Sequence, residues 1–207
     1  MNQDNPKNPV MLVHGIWDTS DIFSKISPVL TELGWSVYSL NLIPNDSSIG
    51  LDRLAEQLSN FIDQTLGGDR PFDLIGFSMG GIVSRYYLQR LGGIERVQRF
   101  ISISAPNHGT VTAYALPLPG CLQMRPKSPF LEDLNRDAVE MLGRVNFTSI
   151  WTPYDSMIIP AKSSQLPVGK EVILPVLVHR WMVSDRRCLQ VIADTLSEPL
   201  RVNSQVS

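Results

Sequence analysis

The chain of 207 residues, 43% of them hydrophobic, is long enough to fold around one substantial core and too short for two of ordinary size. Its net charge of −2, from 18 basic and 20 acidic residues mixed along the chain, offers no basic stripe for a nucleic-acid backbone. We therefore expect one domain over residues 1–207 and no nucleic-acid partner.

The N-terminal stretch MNQDNPKNP is polar and lacks the apolar core of an export signal, and no later apolar run reaches the length of a bilayer span. These patterns predict a cytoplasmic protein with no integral membrane segment. Cys121 and Cys188 are the two cysteines, and their spacing fits neither a metal site nor a dense disulfide framework. Free thiols are the simpler interpretation of this pair, and a single bridge between them is the alternative.

Short apolar runs typical of buried strands alternate along the chain with segments of helical period. In chain order we predict a strand at 10–15, a helix at 22–33, a strand at 35–42, a helix that begins at 51 and is closed by the glycines at 67–68, a strand at 72–77, a helix at 80–91, a strand at 99–106, a helix at 131–142, strands at 147–153 and 171–178, and a helix at 187–196. Strands that alternate with helices imply parallel strands joined by crossover helices. The predicted fold is therefore an open, mostly parallel α/β sheet flanked by helices.

The motif GFSMG places Ser78 between Gly76 and Gly80, where a predicted strand meets a predicted helix. In an open α/β sheet, chemistry is expected at the carboxyl ends of the strands. A tight strand-to-helix turn strains its central residue and crowds the positions two residues away on each side, which favours glycine there. We predict that Ser78 presents its hydroxyl as a nucleophile beside a free Met79 N–H, and a purely structural turn is the alternative.

A serine hydroxyl needs a base to take its proton and a third group to orient that base. Triads built on such a turn run in the order Ser, acid, His, which makes His179 and His108 the candidate bases. His179 follows the predicted strand that ends in VILPVLV, and we interpret it as the base rather than as a surface residue that begins a helix. His108, in APNHGT, is the second candidate and otherwise orders a loop that borders the site. His14 is expected to shape its own loop.

The orienting acid is expected between the nucleophile and the base. Most carboxylates in that interval lie on predicted solvent-facing helix surfaces, whereas Asp155 follows the strand FTSIWTP, where Pro153 and Tyr154 favour a turn. An aspartate in that loop would stabilise the positive charge that forms on the imidazole of His179 during attack. We predict that Asp155 is the acid, and an ordinary turn aspartate is the alternative.

The negative charge of a tetrahedral intermediate is stabilised by hydrogen bonds from backbone N–H groups, usually two of them. Met79 supplies one, and the loop HGIWDTS after the first strand is expected to supply the other from Ile16, because Gly15 lets the backbone approach the substrate closely. Trp17 and Phe77 are predicted to contact the acyl chain of the substrate.

The segment 106–130 contains YALPLPGCLQM, whose prolines and glycine exclude one long helix. Two interpretations are open. The segment is either a surface loop packed on the core, or a rim or small cap over Ser78 that meets an acyl chain.

Four stretches together resemble the α/β-hydrolases, and within that superfamily the small bacterial triacylglycerol lipases and related esterases. VMLVHGIWD resembles the oxyanion loop, LIGFSMGGIVSRYYLQ the nucleophile elbow, ISISAPNHGT the strand and loop beside the site, and WTPYDSMIIPAKSSQLP the acid loop. The resemblance implies a single-domain α/β-hydrolase fold with a minimal cap. It also implies Ser78, Asp155 and His179 as a catalytic triad, with the amides of Ile16 and Met79 as the oxyanion hole.

The residues and the resemblance together predict a serine carboxylic-ester hydrolase, a lipase or esterase, that acts on a small-molecule or lipid ester through an acyl-enzyme. We expect no metal and no organic cofactor, and transient contact with lipid surfaces. A thioesterase or an acyltransferase that uses the same site is one alternative, and a non-catalytic binding protein of the same fold is another. The natural ester and the oligomeric state are left open.

Overall fold

A parallel sheet of six strands runs through the centre of the computed structural model, which describes residues 7–200. The strands are β1 (Val10–Val13), β2 (Val37–Leu40), β3 (Phe72–Phe77), β4 (Val97–Ile103), β5 (Asn146–Trp151) and β6 (Lys170–Ile173). Their order across the sheet is β2-β1-β3-β4-β5-β6, and every neighbouring pair is parallel. The predicted open α/β sheet is confirmed.

Residues 7–200 form seven α-helices. They are α1 (Ile26–Glu32), α2 (Leu51–Leu66), α3 (Met79–Arg90), α4 (Pro119–Gln123), α5 (Pro129–Arg136), α6 (Ala138–Gly143) and α7 (Arg186–Ser197). All of these except α4 place apolar side chains against the two faces of this sheet. Apolar side chains of α2, α3, α5 and α6 form a core on one face, and those of α1 and α7 form a second core on the other. The chain is thus one domain of three layers, with the sheet between two layers of helices.

The central strands are apolar along their whole length because both of their faces are covered. All six residues of β3 are buried, and successive side chains point to opposite faces. Leu74 therefore packs in the core under α2 and α3, whereas Ile75 and Phe77 pack in the core under α1 and α7. Helix α2 shows the matching pattern, since its buried residues recur at helical spacing along one face.

Two predicted elements end earlier than expected, each for a local reason. The helix expected over 131–142 is broken at Asp137 (φ −114°, ψ 11°), whose carboxylate accepts a hydrogen bond of 2.7 Å from Nη1 of Arg90. The strand expected over 171–178 ends at Ile173, because Pro175 has no N–H to donate and the Val176 N–H turns back to the Leu174 carbonyl. Residues 174–178 therefore form a loop.

The segment 106–130 is more regular than its prolines suggested. It contains a 3-10 helix at Val111–Tyr114 and the short helix α4, in which a proline occupies the first position. Cys121, in α4, and Cys188, in α7, are both buried free thiols. None of the helices formed by residues 7–200 combines the length and the apolar character needed to cross a bilayer.

The first turn of α3 lies directly against the end of β1, and this contact requires glycine. A β-carbon at Gly80 would overlap the backbone carbonyl of Val13, and one at Gly76 would lie 2.6 Å from the Cα of Gly81. Backbone atoms cannot move aside as a flexible side chain can. The glycines of GFSMG thus let the strand, the turn and the helix pack together.

We predict that Gly80→Ala lowers the free energy of unfolding by about 2 kcal/mol, because the added methyl group meets backbone rather than open space. Gly68→Ala is the matched control, since a β-carbon at that position would meet no atom within 4 Å. Urea unfolding of both variants measures the difference. Equal stabilities would contradict the close packing of α3 on β1.

Candidate active site

Ser78 occupies the turn between β3 and α3 in a backbone conformation that is strained for a residue with a side chain. Its φ is 54° and its ψ is −124°, outside the regions that ordinary residues prefer. Its N–H donates to the carbonyl of Ile103 (2.8 Å), and its own carbonyl accepts from the N–H of Gly81 (2.9 Å). The turn is therefore fixed from both sides, and Ser78 lines a cavity at the carboxyl edge of the sheet.

His179 and Asp155 lie in direct contact at the same edge. Nδ1 of His179 donates to Oδ2 of Asp155 at 2.7 Å, and Oδ1 of Asp155 accepts from the N–H groups of Met157 and Ile158 at 2.9 Å each. Both side chains are buried. Because a carboxylate can only accept hydrogen bonds, the proton of the neutral imidazole sits on Nδ1, which leaves Nε2 as an acceptor.

The partners of Asp155 keep its carboxyl group ionised. Burial alone would raise the pKa of Asp155, but the hydrogen bond and charge of His179 and the two amides outweigh burial and hold the pKa below its ordinary value. The carboxylate is thus available to stabilise a protonated His179.

Ser78 and His179 belong to neighbouring segments but are not directly bonded. Within residues 7–200, no hydrogen bond joins the Ser78 hydroxyl to the His179 ring, and the pair is linked through Phe77, whose ring centroid lies 4.9 Å from that of His179. Hydrogen bonds of this kind are commonly long before a substrate is bound. The structure brings two of the three predicted residues into contact, and the third, Ser78, directly follows Phe77, whose ring packs on His179.

Phe77 does not have the position that its predicted role requires. It was expected to contact the acyl chain, but as the last residue of β3 its side chain points into the core under α1 and α7 and has no exposed surface. Phe77 is not among the residues that line the cavity, so the structure gives no support to a contact between its ring and the acyl chain. The Phe77 ring supports the imidazole of His179 instead.

The amides of Ile16 and Met79 are both free to bind a ligand. Among the residues that the structure describes, neither N–H has a hydrogen-bond acceptor, and both residues line the cavity that holds Ser78. Met79 is the first residue of α3, so its amide carries part of the positive end of the helix dipole. The N–H of Trp17, in contrast, donates to the carbonyl of Asn45 at 2.7 Å.

The cavity beside Ser78 has a volume of about 300 Å³ and is mostly apolar. Trp17, which was predicted to contact the substrate, forms part of its wall, and the contact itself stays a prediction. Much of the remaining wall comes from the segment 106–130 and includes Pro106, Ala113, Leu116, Cys121 and Met124. The geometry therefore favours the rim interpretation of this segment over a surface loop that packs on the core alone.

Hydrogen bonds tie that segment to the loop that carries Asp155. Oγ1 of Thr110 donates to the carbonyl of Met157 and accepts from the N–H of Ile159, each at 2.9 Å. The N–H of Val111 also donates to the carbonyl of Ile159. The wall of the cavity and the acid loop thus form one connected unit.

The other two histidines lie in different surroundings. Nδ1 of His14 lies 2.8 Å from the carbonyl of Gly15, and Nε2 accepts from the N–H of Leu42, so both ring nitrogens are engaged and the ring orders its own loop. Burial lowers the pKa of His14, which keeps the ring neutral. His108 was expected to border the site, but it is exposed and lines a separate cavity of about 530 Å³ that Ser78 does not share.

The sequence reasoning missed an ion pair between Asp18 and Arg180. Oδ1 of Asp18 lies 2.8 Å from Nη2 of Arg180, and Asp18 is 6% exposed beside Gly15. Burial raises the pKa of Asp18, while the charges of Arg180, His14 and His179 oppose that rise. The pair joins the loop of Ile16 to the segment of His179. The sequence offered one sign of this ion pair, since Asp18 directly follows HGIW and Arg180 directly follows His179.

Comparison with known proteins identifies the fold family of this chain. A family model described as alpha/beta hydrolase fold matches residues 8–165. The mature form of the Bacillus licheniformis lipase BlEst2 is similar in structure, with a TM-score of 0.74 and 17% identity over 94% of each chain. Aspergillus fumigatus lipase B is similar with a TM-score of 0.77 and 19% identity, over 95% of this chain and 54% of the lipase.

The proteins of similar structure are not all lipases. A bromoperoxidase from Bacillus anthracis has a TM-score of 0.69 and 15% identity, over 93% of this chain and 92% of the peroxidase. At such identities the likeness shows the fold alone. Because a bromoperoxidase shares that fold with lipases, the reaction has to be argued from the side chains of the site.

We predict that Asp155→Asn lowers the free energy of unfolding by about 1–3 kcal/mol at pH 7. The NH₂ group of the asparagine would replace a carboxylate oxygen that now accepts a hydrogen bond, and an NH₂ group cannot accept one from an N–H donor. Because the pKa of Asp155 is lowered in the folded protein, its carboxylate stabilises the fold at pH values above the ordinary pKa of 3.8. This stabilisation is lost as the pH falls through the folded-state pKa. The stability gap between variant and wild type should therefore narrow on acidification.

Urea unfolding of the wild type and of Asp155→Asn at pH 7 and near pH 3 measures this gap. Asp69→Asn, a change at an exposed residue, is the control and should leave the stability near that of the wild type. A gap that stays constant with pH would show that the ionised carboxylate does not stabilise the fold.

Proposed function

Because this chain belongs to the α/β-hydrolase family, we propose that it is a serine carboxylic-ester hydrolase, a lipase or esterase, with Ser78 as its nucleophile. The observation that carries the proposal is the hydrogen bond of 2.7 Å between His179 Nδ1 and Asp155 Oδ2, at the same edge of the sheet as a serine held in a strained strand-to-helix turn. A base with a fixed tautomer next to such a serine fits nucleophilic acyl transfer.

In the first half of the proposed reaction, Nε2 of His179 takes the proton of Ser78 as the hydroxyl oxygen attacks the ester carbonyl. The carbonyl oxygen becomes negatively charged and accepts hydrogen bonds from the amides of Ile16 and Met79. The C–O bond to the alcohol then breaks, and the alcohol leaves with the proton from His179. Asp155 stabilises the imidazolium that exists between these two transfers.

In the second half, water replaces the alcohol. His179 takes a proton from the water as its oxygen attacks the acyl-enzyme, and it returns that proton to Ser78 when the acid leaves. Trp17 is 55% exposed at the mouth of the cavity, which supports access of water and hence hydrolysis over transfer to another acceptor. No step requires a metal or an organic cofactor.

The apolar character of the cavity is evidence that an acyl chain is the part of the substrate that binds there. Burial of a chain against side chains such as Ala113, Leu116 and Met124 removes its methylene groups from water, at roughly 0.8 kcal/mol for each group buried. Tyr114 and Met157, on the surrounding segments, expose apolar surface. These features support a lipid or small-molecule ester and transient contact with lipid surfaces. The cytoplasmic location stays a prediction.

We expect Ser78→Ala and His179→Ala each to lower kcat for p-nitrophenyl octanoate by several orders of magnitude, since each removes a member of the proton-transfer chain. His108→Ala is the matched histidine control and should keep most of the wild-type activity, because His108 lies in another cavity. The measurement is initial-rate hydrolysis by the purified proteins. Equal turnover by the wild type and the Ser78 variant would end the proposal.

We expect Ala113→Phe to lower the ratio of kcat/KM for p-nitrophenyl octanoate to that for p-nitrophenyl butyrate by at least about tenfold. Ala113 is buried and lines the cavity, so a phenyl ring there would occupy the space that a longer acyl chain requires. The ratio is measured on one protein preparation, which cancels errors in active-site concentration. An unchanged ratio would place the acyl chain elsewhere.

A further inference from the structure

Thr110 connects the wall of the cavity to the loop that carries Asp155. Thr110 is 5% exposed and is part of that wall. Its hydroxyl donates to the carbonyl of Met157 and accepts from the N–H of Ile159, each at 2.9 Å. A hydroxyl donates and accepts at the same time, which an apolar side chain of the same size cannot do. The Thr110 hydroxyl thus holds the acid loop at two points.

Residues 157–159 form the far end of the acid loop. In the part of the chain that the structure describes, each hydrogen bond that joins these residues to another segment is made with residues 110–112. Two of these four bonds involve the Thr110 hydroxyl, one the Val111 N–H and one the Thr112 hydroxyl. The position of the far end is therefore set by the short stretch that begins at Thr110.

The far end of the loop also holds the carboxylate of Asp155. The N–H groups of Met157 and Ile158 donate to Oδ1 of Asp155 at 2.9 Å each, while Oδ2 accepts from Nδ1 of His179. Because the amides and the base hold opposite oxygens of one carboxylate, a displacement of the amides would turn that carboxylate relative to the His179 ring. Thr110 is thus connected to the base through the backbone of the loop and the acid.

Thr110 is itself fixed by its neighbours. Gly109 precedes it with a φ of 87°, and a β-carbon at Gly109 would lie 2.5 Å from the backbone nitrogen of Pro126. The N–H of Thr110 donates to the carbonyl of Met124 at 2.9 Å. The backbone of Thr110 is therefore held on the side of the cavity wall, and its hydroxyl offers the acid loop a donor and an acceptor in a fixed place.

We propose that Thr110 is a positioning residue of the active site, whose hydroxyl orients Asp155 toward His179 through the backbone of residues 157–159. A displacement of about 1 Å in an active site lowers a rate by as much as about a hundredfold, even when its cause lies away from the reacting atoms. Thr110 acts on the rate through Asp155 and takes no part in proton transfer. The inference rests on the proposed function and adds a residue to the same site.

The first test compares variants of Thr110 in the hydrolysis of p-nitrophenyl butyrate. Thr110→Val keeps the shape of the side chain and loses the hydroxyl, so kcat should fall about tenfold to a hundredfold while KM changes less than about twofold. Thr110→Ser keeps the hydroxyl and should retain most of the wild-type kcat. Thr195→Val is the matched control, because Thr195, in α7, is 2% exposed and its hydroxyl has no hydrogen-bond partner among the described residues.

A double-mutant cycle separates action through Asp155 from an independent effect on the cavity wall. Asp155→Asn lowers kcat by itself, and the addition of Thr110→Val should then lower kcat little further. Independent effects would multiply, so an equal loss in both backgrounds would overturn the inference, as would a wild-type kcat in Thr110→Val. If Thr110→Val does not fold, the comparison of Thr110→Ser with Thr110→Ala isolates the hydroxyl, and equal kcat in these two variants would also overturn the inference.

Proton NMR tests the positioning role without turnover. The Nδ1 proton that His179 shares with Asp155 should give a signal downfield of the amide region, identified by its absence in His179→Ala. In the Ser78→Ala protein, Thr110→Val should shift or broaden this signal, and Thr110→Ser should leave it unchanged. An unchanged signal in Thr110→Val would overturn the inference. A shifted signal together with equal hydrolysis by the wild type and Ser78→Ala would count against the proposed function alone.

Discussion

The hydrogen bond from Nδ1 of His179 to Oδ2 of Asp155 is the interaction on which the proposed chemistry depends. It fixes the neutral imidazole in the tautomer that can accept a proton at Nε2, and it places a charge where the imidazolium would form. The acid is itself held, because Oδ1 accepts from the amides of Met157 and Ile158. Hydrogen bonds from Thr110 tie the same loop to the cavity wall. The loop therefore orients the base and shapes the substrate cavity at once.

The parallel sheet makes this convergence possible. Because all six strands run in one direction, the loops after β1, β3, β5 and β6 meet at one edge, although their residues are far apart in the chain. The elbow after β3 adds a serine whose backbone strain is held by the packing of Gly76 and Gly80 against neighbouring backbone. The ion pair between Asp18 and Arg180 then joins the first and the last of these loops. The loops after β1, β5 and β6 are thus each bonded to another of these loops, and the turn at Ser78 is anchored on β4 through the carbonyl of Ile103.

The sequence predicts those features that depend on local chemistry. The strand at 72–77 and the turn at Ser78 follow from apolar pattern and glycine spacing, and both appear as expected. Features that depend on tertiary contacts were not predicted. Which face of the sheet Phe77 occupies depends on the register of β3, and the pairing of Asp18 with Arg180 joins residues remote in sequence. Arg85 is likewise fully buried, where burial lowers its pKa to about 9, and it donates to Asn107 and the carbonyl of Leu134, contacts that no periodicity reveals.

The apolar cavity that Ser78 lines suits an ester with an apolar acyl chain. All of this chemistry requires that the Ser78 hydroxyl be activated by His179. Reaction with a fluorophosphonate tests that requirement most directly, because the oxygen of an activated serine displaces fluoride from phosphorus while the base takes the serine proton. Peptide mass spectrometry should find one adduct per chain, on Ser78, formed much more slowly in His179→Ala. An unlabelled wild type, or an adduct on another residue, would contradict the account.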